Sequence, residues 1–463
     1  MKQANVKRTW ARVAACCVVA LASLGARADD QAERIKALEQ RLDSSAKLID
    51  QLSRRISDLE RSAGTASPPV AATAASAAAS TPATALATAS PPSPSLTSLQ
   101  EQVDQINDGL NHRGFDLGLP LHGFADVQAA TSTGQDPLRL RGFNGGTLDL
   151  YLTPQLGDRV RSLVEIAFEY DPDGRGSAAD MERLQLGYSV NDSLTLWMGR
   201  FHTPFGLWNT YFHHGANLQT SIYRPQFIEF EDRGGIIPAH SVGIWASGKT
   251  AAGPGRLTYD AYLSNGPSIR DRSLDFNPFT DDTANKMVGI NLGYQPNGAL
   301  HGLSVGVHGF ASNSSSFNPS NVPITTTRLR MAGAYAGYDS DDWEAFAEYY
   351  GFFDINNSNA SGHRSNVGFV HLGRTFGSWT PYARYERASI DAKDNYFNAQ
   401  VTGRSYTRGV LGARYALDGR SSLKFELSST VEPALNQRDE FGGIVFAPAV
   451  SFRRAAVQYS IAF

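Results

Sequence analysis

From about residue 120 to the last residue, apolar and polar side chains alternate one by one, in runs joined by links that are alternately short and long. In Arg159–Tyr170, Val160, Val164, Ile166, Phe168 and Tyr170 share one face, while Arg159, Arg161, Glu165 and Glu169 share the other. In Leu423–Glu432, Leu423, Phe425, Leu427 and Val431 alternate with Lys424, Glu426, Ser428, Thr430 and Glu432. A period of two is the signature of strands with one apolar and one polar face. A soluble sandwich turns the apolar face inward; a membrane barrel turns it outward, toward lipid.

The links separate these two architectures. Short ones fall near Thr153–Asp158, Asn191–Asp192, Gln295–His301, Asp339–Asp342, Phe376–Ser378 and Asp418–Arg420. Long ones fall at 131–146, 171–181, 203–239, 264–285, 312–326, 354–364, 388–404 and 433–445. One rim of tight turns and one of long loops is the pattern of an outer-membrane barrel, and a sandwich gives no reason for it. The expected fold is all-β: a sixteen-stranded antiparallel transmembrane barrel over 112–463, with an α-helical coiled coil before it. The even strand count leaves both ends of the barrel on the periplasmic side. The chain ends on a phased strand, Val457, Tyr459, Ile461 and Phe463, with an aromatic last residue.

The first 111 residues are written differently. Trp10 is their only aromatic, and Cys16 and Cys17 are the only cysteines of the chain. That excludes a disulfide scaffold or a cysteine zinc site. Lys2, Lys7, Arg8 and Arg12 precede the apolar stretch Val13–Leu24 and the small-residue site Ala26-Arg27-Ala28. This predicts an export signal over 1–28. The apolar stretch is too short to span a bilayer, and no later run is long enough for a transmembrane helix.

Over 29–62, Ile35, Leu38, Leu42, Ile49, Leu52, Ile56 and Leu59 keep a heptad spacing, which predicts a coiled coil. Arg34, Ile35, Leu38 and Glu39, and again Arg55, Ile56, Leu59 and Glu60, resemble a short trimerisation signature, and favour a homotrimer over a dimer. Residues 63–95 are an uncharged Ala/Pro/Ser/Thr tether that cannot bury enough surface to fold. A second short heptad run, 96–111, leads into the barrel.

The architecture resembles the trimeric porins of Gram-negative outer membranes, of the DcaP-like and phosphate-selective type. At residue level the likeness rests on Gly199-Arg200-Phe201-His202-Thr203-Pro204-Phe205-Gly206, on the long link after it and on the terminal strand. The resemblance implies passive diffusion of small hydrophilic, anionic solutes. It implies recognition of Val457, Tyr459, Ile461 and Phe463 for insertion, and a third external loop, here 203–239, folded inward as a constriction. The partners expected are outer-membrane lipid, further copies of the chain and the solutes, with peptidoglycan within reach of a periplasmic coiled coil. A net charge of −3 gives no support for a nucleic-acid partner.

A sixteen-stranded barrel is too wide for its wall side chains to fill, so water enters. The expected lumen wall carries Arg161, Glu165, Arg183, Arg384, Glu386, Arg408, Arg414, Lys424, Glu426 and Arg454, with Glu169 among them. Between 112 and 463 there are 26 arginines and 4 lysines. Guanidinium grips carboxylate or phosphate bidentately, and rows of fixed charge set selectivity. The same Arg and Glu can also simply pair and solvate the wall. Within the aromatic loop, Arg224, Glu229, Glu231, Asp232 and Arg233 are the candidates for the constriction.

No cofactor or metal is expected. His202, His213, His214, His240 and Glu229 lack a His-Glu-x-x-His pattern, and adjacent histidines do not share a helix face. No phosphate loop, dinucleotide fingerprint or Gly-x-Ser-x-Gly elbow stands in a suitable context, so an enzyme is not expected. The alternatives are a structural or adhesive barrel, or a hydrolase at the rim.

Overall fold

A computed structural model describes residues 121–136, 141–154, 156–170, 177–212, 218–276 and 286–463. The expected signal, the coiled coil with its trimerisation residues, the tether, the second heptad run and residues 112–120 lie outside the described residues.

Sixteen antiparallel strands follow one another around a closed barrel. They are β1 Leu121–Gly134, β2 Thr147–Leu152, β3 Val160–Tyr170, β4 Ser177–Asn191, β5 Leu194–His202, β6 His240–Ala252, β7 Gly255–Ser264 and β8 Met287–Pro296. Then come β9 Leu303–Phe317, β10 Pro323–Asp339, β11 Trp343–Asn356, β12 Ser361–Arg374, β13 Trp379–Ser389, β14 Tyr406–Ala416, β15 Ser421–Glu432 and β16 Val450–Ala462. Closure is made by β1 against β16, with Val127 opposite Tyr459 and Thr133 opposite Arg453. Phe463 extends that pairing: its N–H and carbonyl exchange 3.0 Å hydrogen bonds with Gly123. A closed barrel satisfies every strand edge, which an open sheet in lipid cannot do.

Six of the tight turns fall where the alternation predicts them; the seventh, Gly253-Pro254, completes that rim. Two expected long links are instead hairpins. The stretches 312–326 and 354–364 turn only at 318–322 and 357–360. Strands β9 and β10 run 15 and 17 residues, and β11 and β12 run 14 each. A tilted strand needs about 9–11 residues to cross a bilayer, so their polar ends stand beyond it. The Ser- and Thr-rich sequence there reads as loop but forms a ladder, with Ser315 Oγ 3.0 Å from Thr326 Oγ1 and Ser316 Oγ 2.7 Å from Thr325 Oγ1.

The outward face is apolar and exposed: Leu186, Met198, Ile244, Leu263, Ile290, Val307, Val370, Leu411, Leu427 and Val457 are among its side chains. The inward face is not uniformly polar. On β11 it carries Glu344, Phe346, Glu348, Tyr350, Phe352 and Asp354. Its rings, with Phe310, Tyr335 and Phe369, form an aromatic core inside the barrel. The other half of that core is the loop between β5 and β6.

Candidate pore and its inward loop

Strands β5 and β6 end side by side, and the chain between them turns back into the barrel. Thr203 Oγ1 lies 2.7 Å from Ser241 Oγ, and the Thr203 N–H donates to Ala239 O at 2.8 Å, pinching the base of the loop. Pro204-Phe205-Gly206 then redirects it. Gly206 has φ +63°, and a Cβ there would lie 2.2 Å from Glu348 Oε2 and 2.4 Å from Tyr350 Oη. Only glycine fits both the left-handed backbone and the close approach to β11.

After that turn the loop is held by wall carboxylates. Glu348 accepts from the Trp208 N–H at 2.5 Å, Glu344 from the Thr220 hydroxyl at 2.7 Å, Glu426 from the Ile222 N–H at 2.9 Å and Glu386 from the Gln226 N–H at 2.7 Å. Wall cations hold its carbonyls: Lys424 Nζ donates to Gln219 O at 2.5 Å, and Arg384 Nη2 to Arg224 O at 3.2 Å. Each such bond is a charge-assisted contact in a site closed to bulk water, where an unmade partner is expensive. Rings fill the space between. Trp208 packs edge-on against Phe369 and Phe346 at 5.4 and 6.0 Å, and Phe227 against Tyr350 at 5.2 Å.

A second inward segment braces the first. In the connection between β13 and β14, Asp394 caps the short helix Asn395–Asn398 by accepting from the Tyr396 N–H at 3.0 Å. The Tyr396 hydroxyl reaches Ile236 O at 2.8 Å. Phe397 packs edge-on against Phe352 at 5.0 Å. Burial raises the Asp394 carboxyl above the ordinary aspartate range, partly offset by hydrogen bonds from Asp354 and the Tyr396 N–H.

The five loop charges proposed from sequence separate into two groups. Arg224 is 3% exposed and spends its guanidinium inside the loop, on Ile228 O, Phe212 O and Asn209 Oδ1 at 2.9, 2.6 and 2.7 Å, above the Phe230 ring. Burial pulls it down to about 10, against the pull of Glu229, so it stays charged at neutral pH. Glu231 is equally enclosed, accepting from the backbone N–H of His240 and meeting its ring, both at 2.9 Å. Glu229 is half-buried, and Asp232 and Arg233 are exposed. The left-handed Gly234 ends the short helix Glu231–Arg233. Arg233 reaches the wall opposite β11, with Glu169 Oε1 at 2.5 Å and Thr147 Oγ1 at 3.2 Å. Asp232 keeps exposed surface, yet enough protein surrounds its carboxyl to strip it of part of its water. That enclosure, then Glu169, Glu182 and Glu231, raises its carboxyl, against Arg233.

The ten expected wall residues also divide. Arg384, Glu386, Arg408, Lys424 and Glu426 are buried, as part of the loop's seat. Arg408 stands 3.9 Å from both Glu386 and Glu426. Arg414 is buried beside them, and Arg454 forks onto Asp136 at 2.7 and 2.6 Å. On the other side of the barrel, Arg183 pairs with buried Glu165 at 2.5 Å and keeps 18% of its side chain exposed, while half-buried Arg161 donates to Ser189 Oγ at 2.9 Å. Sequence reasoning missed Glu344, Glu348 and Asn291, which donates to Gly206 O at 3.1 Å. The legible signal was the aromatic inward face of β11, which a water-filled lumen does not call for.

No protein-family model matches the sequence, and no curated protein matches it. The fold is similar to that of an anion-selective porin from Comamonas acidovorans, with 15% identity and a TM-score of 0.51 over 75% of this chain and 99% of that one. Also similar are outer-membrane-expressed OmpT of Vibrio cholerae, at 11% identity and TM-score 0.48, and the outer-membrane channel DcaP of Acinetobacter baumannii, at 14% and 0.46. Each of these two covers 74% of this chain and 97% of its own. At such identities the likeness is one of fold.

Proposed function

We propose that this chain is an outer-membrane porin, a water-filled channel for passive diffusion of small hydrophilic solutes, with anions preferred. The observation that carries the reading is the closed sixteen-stranded barrel with an apolar exposed outer face and a long loop folded across its interior. An apolar exterior of that extent calls for lipid. A barrel of that strand number leaves an aqueous interior unless something fills it. Here the loop fills the side lined by β8–β15 and leaves Arg161, Arg183, Glu169 and Arg233 with exposed surface on the side of β2–β4.

The constriction is proposed to lie between the loop and that wall, with Asp232, Arg233 and half-buried Glu229 at the opening. Arg224 and Glu231 act as internal ties of the loop. Anion preference rests on the partly exposed guanidiniums of Arg161, Arg183 and Arg233, which suit carboxylate or phosphate. Export by 1–28, a periplasmic coiled coil over 29–62 joined through 63–95, homotrimers and insertion through Val457, Tyr459, Ile461 and Phe463 belong to the same proposal.

The test is electrical. Purified, folded protein added to a planar bilayer should conduct in discrete steps, grouped in threes if trimers insert. The reversal potential in a salt gradient should show anions carrying the larger current. Folded protein that inserts without conducting would remove the channel; a cation-sided potential would remove the selectivity alone.

A further inference from the structure

One row of directly opposed residues crosses the inner wall between the short-turn rim and the base of the inward loop. Register places Arg161 of β3 opposite Gly187 of β4, Gly187 opposite Trp197 of β5, and Trp197 opposite Trp245 of β6. Parity turns all four inward, because their chain neighbours Leu186, Met198 and Ile244 are exposed on the outer face.

The row is shaped by its glycine. A Cβ on Gly187 would lie 2.5, 2.6 and 2.9 Å from Cε3, Cζ3 and Cδ2 of Trp197, three neighbouring atoms of one ring face. The indole therefore lies over Gly187 and takes the place a side chain would fill. Its Nε1 donates to Ser247 Oγ at 3.0 Å, and the Trp245 ring stands 5.7 Å away, inclined to it by 19°. Both tryptophans are half-buried, so indole surface stays open to the interior.

Arg161 differs from the other two partly exposed arginines of this wall. Arg183 has Glu165 and Arg233 has Glu169, each at 2.5 Å. Arg161 is half-buried and gives its Nε to Ser189 Oγ at 2.9 Å. Among the described residues no carboxylate meets it, and its two Nη groups have no protein partner. A guanidinium with that edge free is set to grip a carboxylate with two parallel bonds.

Two strand spacings, about 10 Å of wall, separate the backbones of Arg161 and Trp197. The indole reaches into that interval across Gly187. A carboxylate seated on Arg161 therefore has an aromatic surface next to it, where a planar ring gains more than the same apolar area elsewhere. Asp260, which accepts from Trp245 Nε1 at 2.9 Å, puts a negative charge at the other end of the pair, where a second anionic group is disfavoured.

We propose that Arg161, Trp197 and Trp245 form a subsite for aromatic monocarboxylates on the way through the barrel. The guanidinium takes the carboxylate and the indoles take the ring. The inference rests on the porin reading, since the solute reaches the row only through the lumen.

The test records chloride current through the folded full-length protein in planar bilayers while sodium benzoate or sodium acetate is added. In the parent, benzoate should halve the current at a concentration about two- to tenfold below that for acetate, the worth of one aromatic pair. W197L should bring the two concentrations together. G187A should do the same, because its methyl displaces the ring without removing it. R161Q should raise both concentrations, by up to about fivefold, and keep their ratio.

Equal half-blocking concentrations in the parent would overturn the proposal. So would a benzoate advantage that survives in either W197L or G187A, since the ring would then act by its size alone. An unchanged benzoate value in R161Q would place the carboxylate elsewhere and sink the pairing of the two groups. Parental protein that conducts chloride but does not tell benzoate from acetate removes this inference alone. Protein that does not conduct removes the channel reading beneath it.

Discussion

Replacing Trp208 by alanine should loosen the loop without opening the barrel. The side chain is 1% exposed, and its ring meets Phe212 at 4.6 Å, Phe369 at 5.4 Å and Phe346 at 6.0 Å, with the Arg384 guanidinium 5.7 Å from it. Truncating a buried tryptophan costs about 3–5 kcal/mol, from lost transfer energy and the cavity left behind. None of that cost falls on the strand ladders, because Trp208 lies in the loop. It falls on the equilibrium between docked and released loop, which shifts by a factor of about 10² to 4 × 10³. The polar ties at Glu344, Glu386 and Glu426 remain, so release should be frequent and transient.

Single-channel records of W208A should therefore show a larger mean conductance and more rapid current noise than the parent. Limited proteolysis should cut within 203–239, while the strands of the barrel stay uncut. Parental conductance together with parental protease resistance would refute the reasoning: the polar ties would then hold the loop alone, and the aromatic core would only fill space.

The opening and the braces give two further predictions. R233Q removes a cation that is 38% exposed and leaves Glu169, Asp232 and half-buried Glu229 behind; the anion-to-cation permeability ratio from reversal potentials should fall, by at most about fivefold for each of the two ions, the Coulomb energy of one unit charge at contact distance in water. Asp232 and Asp394 both have raised pKa values, so the docked loops bind protons more tightly than released ones, and docking weakens as pH rises through the interval between the ordinary aspartate value and the raised one. Hydrogen exchange at the amides of 394–400 should then be slower at mildly acidic pH than at neutral pH once corrected for intrinsic rates, and conductance should fall on acidification; exchange that quickens on acidification would reverse the assigned sign.

The strands were legible in the sequence because each residue of an antiparallel wall announces its face by parity. Leu427 and Glu426 differ by one position and end on opposite sides of the sheet, one 61% and one 3% exposed. Where parity is the only information needed, the reading extends to a closed antiparallel barrel of sixteen strands. Polar strand ends are not legible in this way: Ser315 and Ser316 pair with Thr326 and Thr325 in a ladder, but a run of Ser and Thr carries no apolar alternation and looks like loop. The fate of the lumen was out of reach for another reason. Parity puts Glu386 and Lys424 on the inward face, but whether they meet water or backbone depends on a segment some two hundred residues away. Arg224 and Arg233 sit in the same aromatic loop, and nothing local tells which will be consumed inside it.

That division decides how the charge of this barrel should be counted. Between 112 and 463 acidic residues slightly outnumber basic ones, which taken whole points away from anions. Glu344, Glu348, Glu386 and Glu426 are engaged by backbone N–H or hydroxyl groups of the loop. A carboxylate whose field ends on such dipoles, behind a packed loop, does little to an ion on the far side of it. The groups that remain in reach of a passing ion are few, and Arg161, Arg183 and Arg233 weigh more among them than the total suggests. On the proposed reading the loop therefore does two things by docking: it narrows the passage, and it takes four carboxylates out of the account that an ion sees.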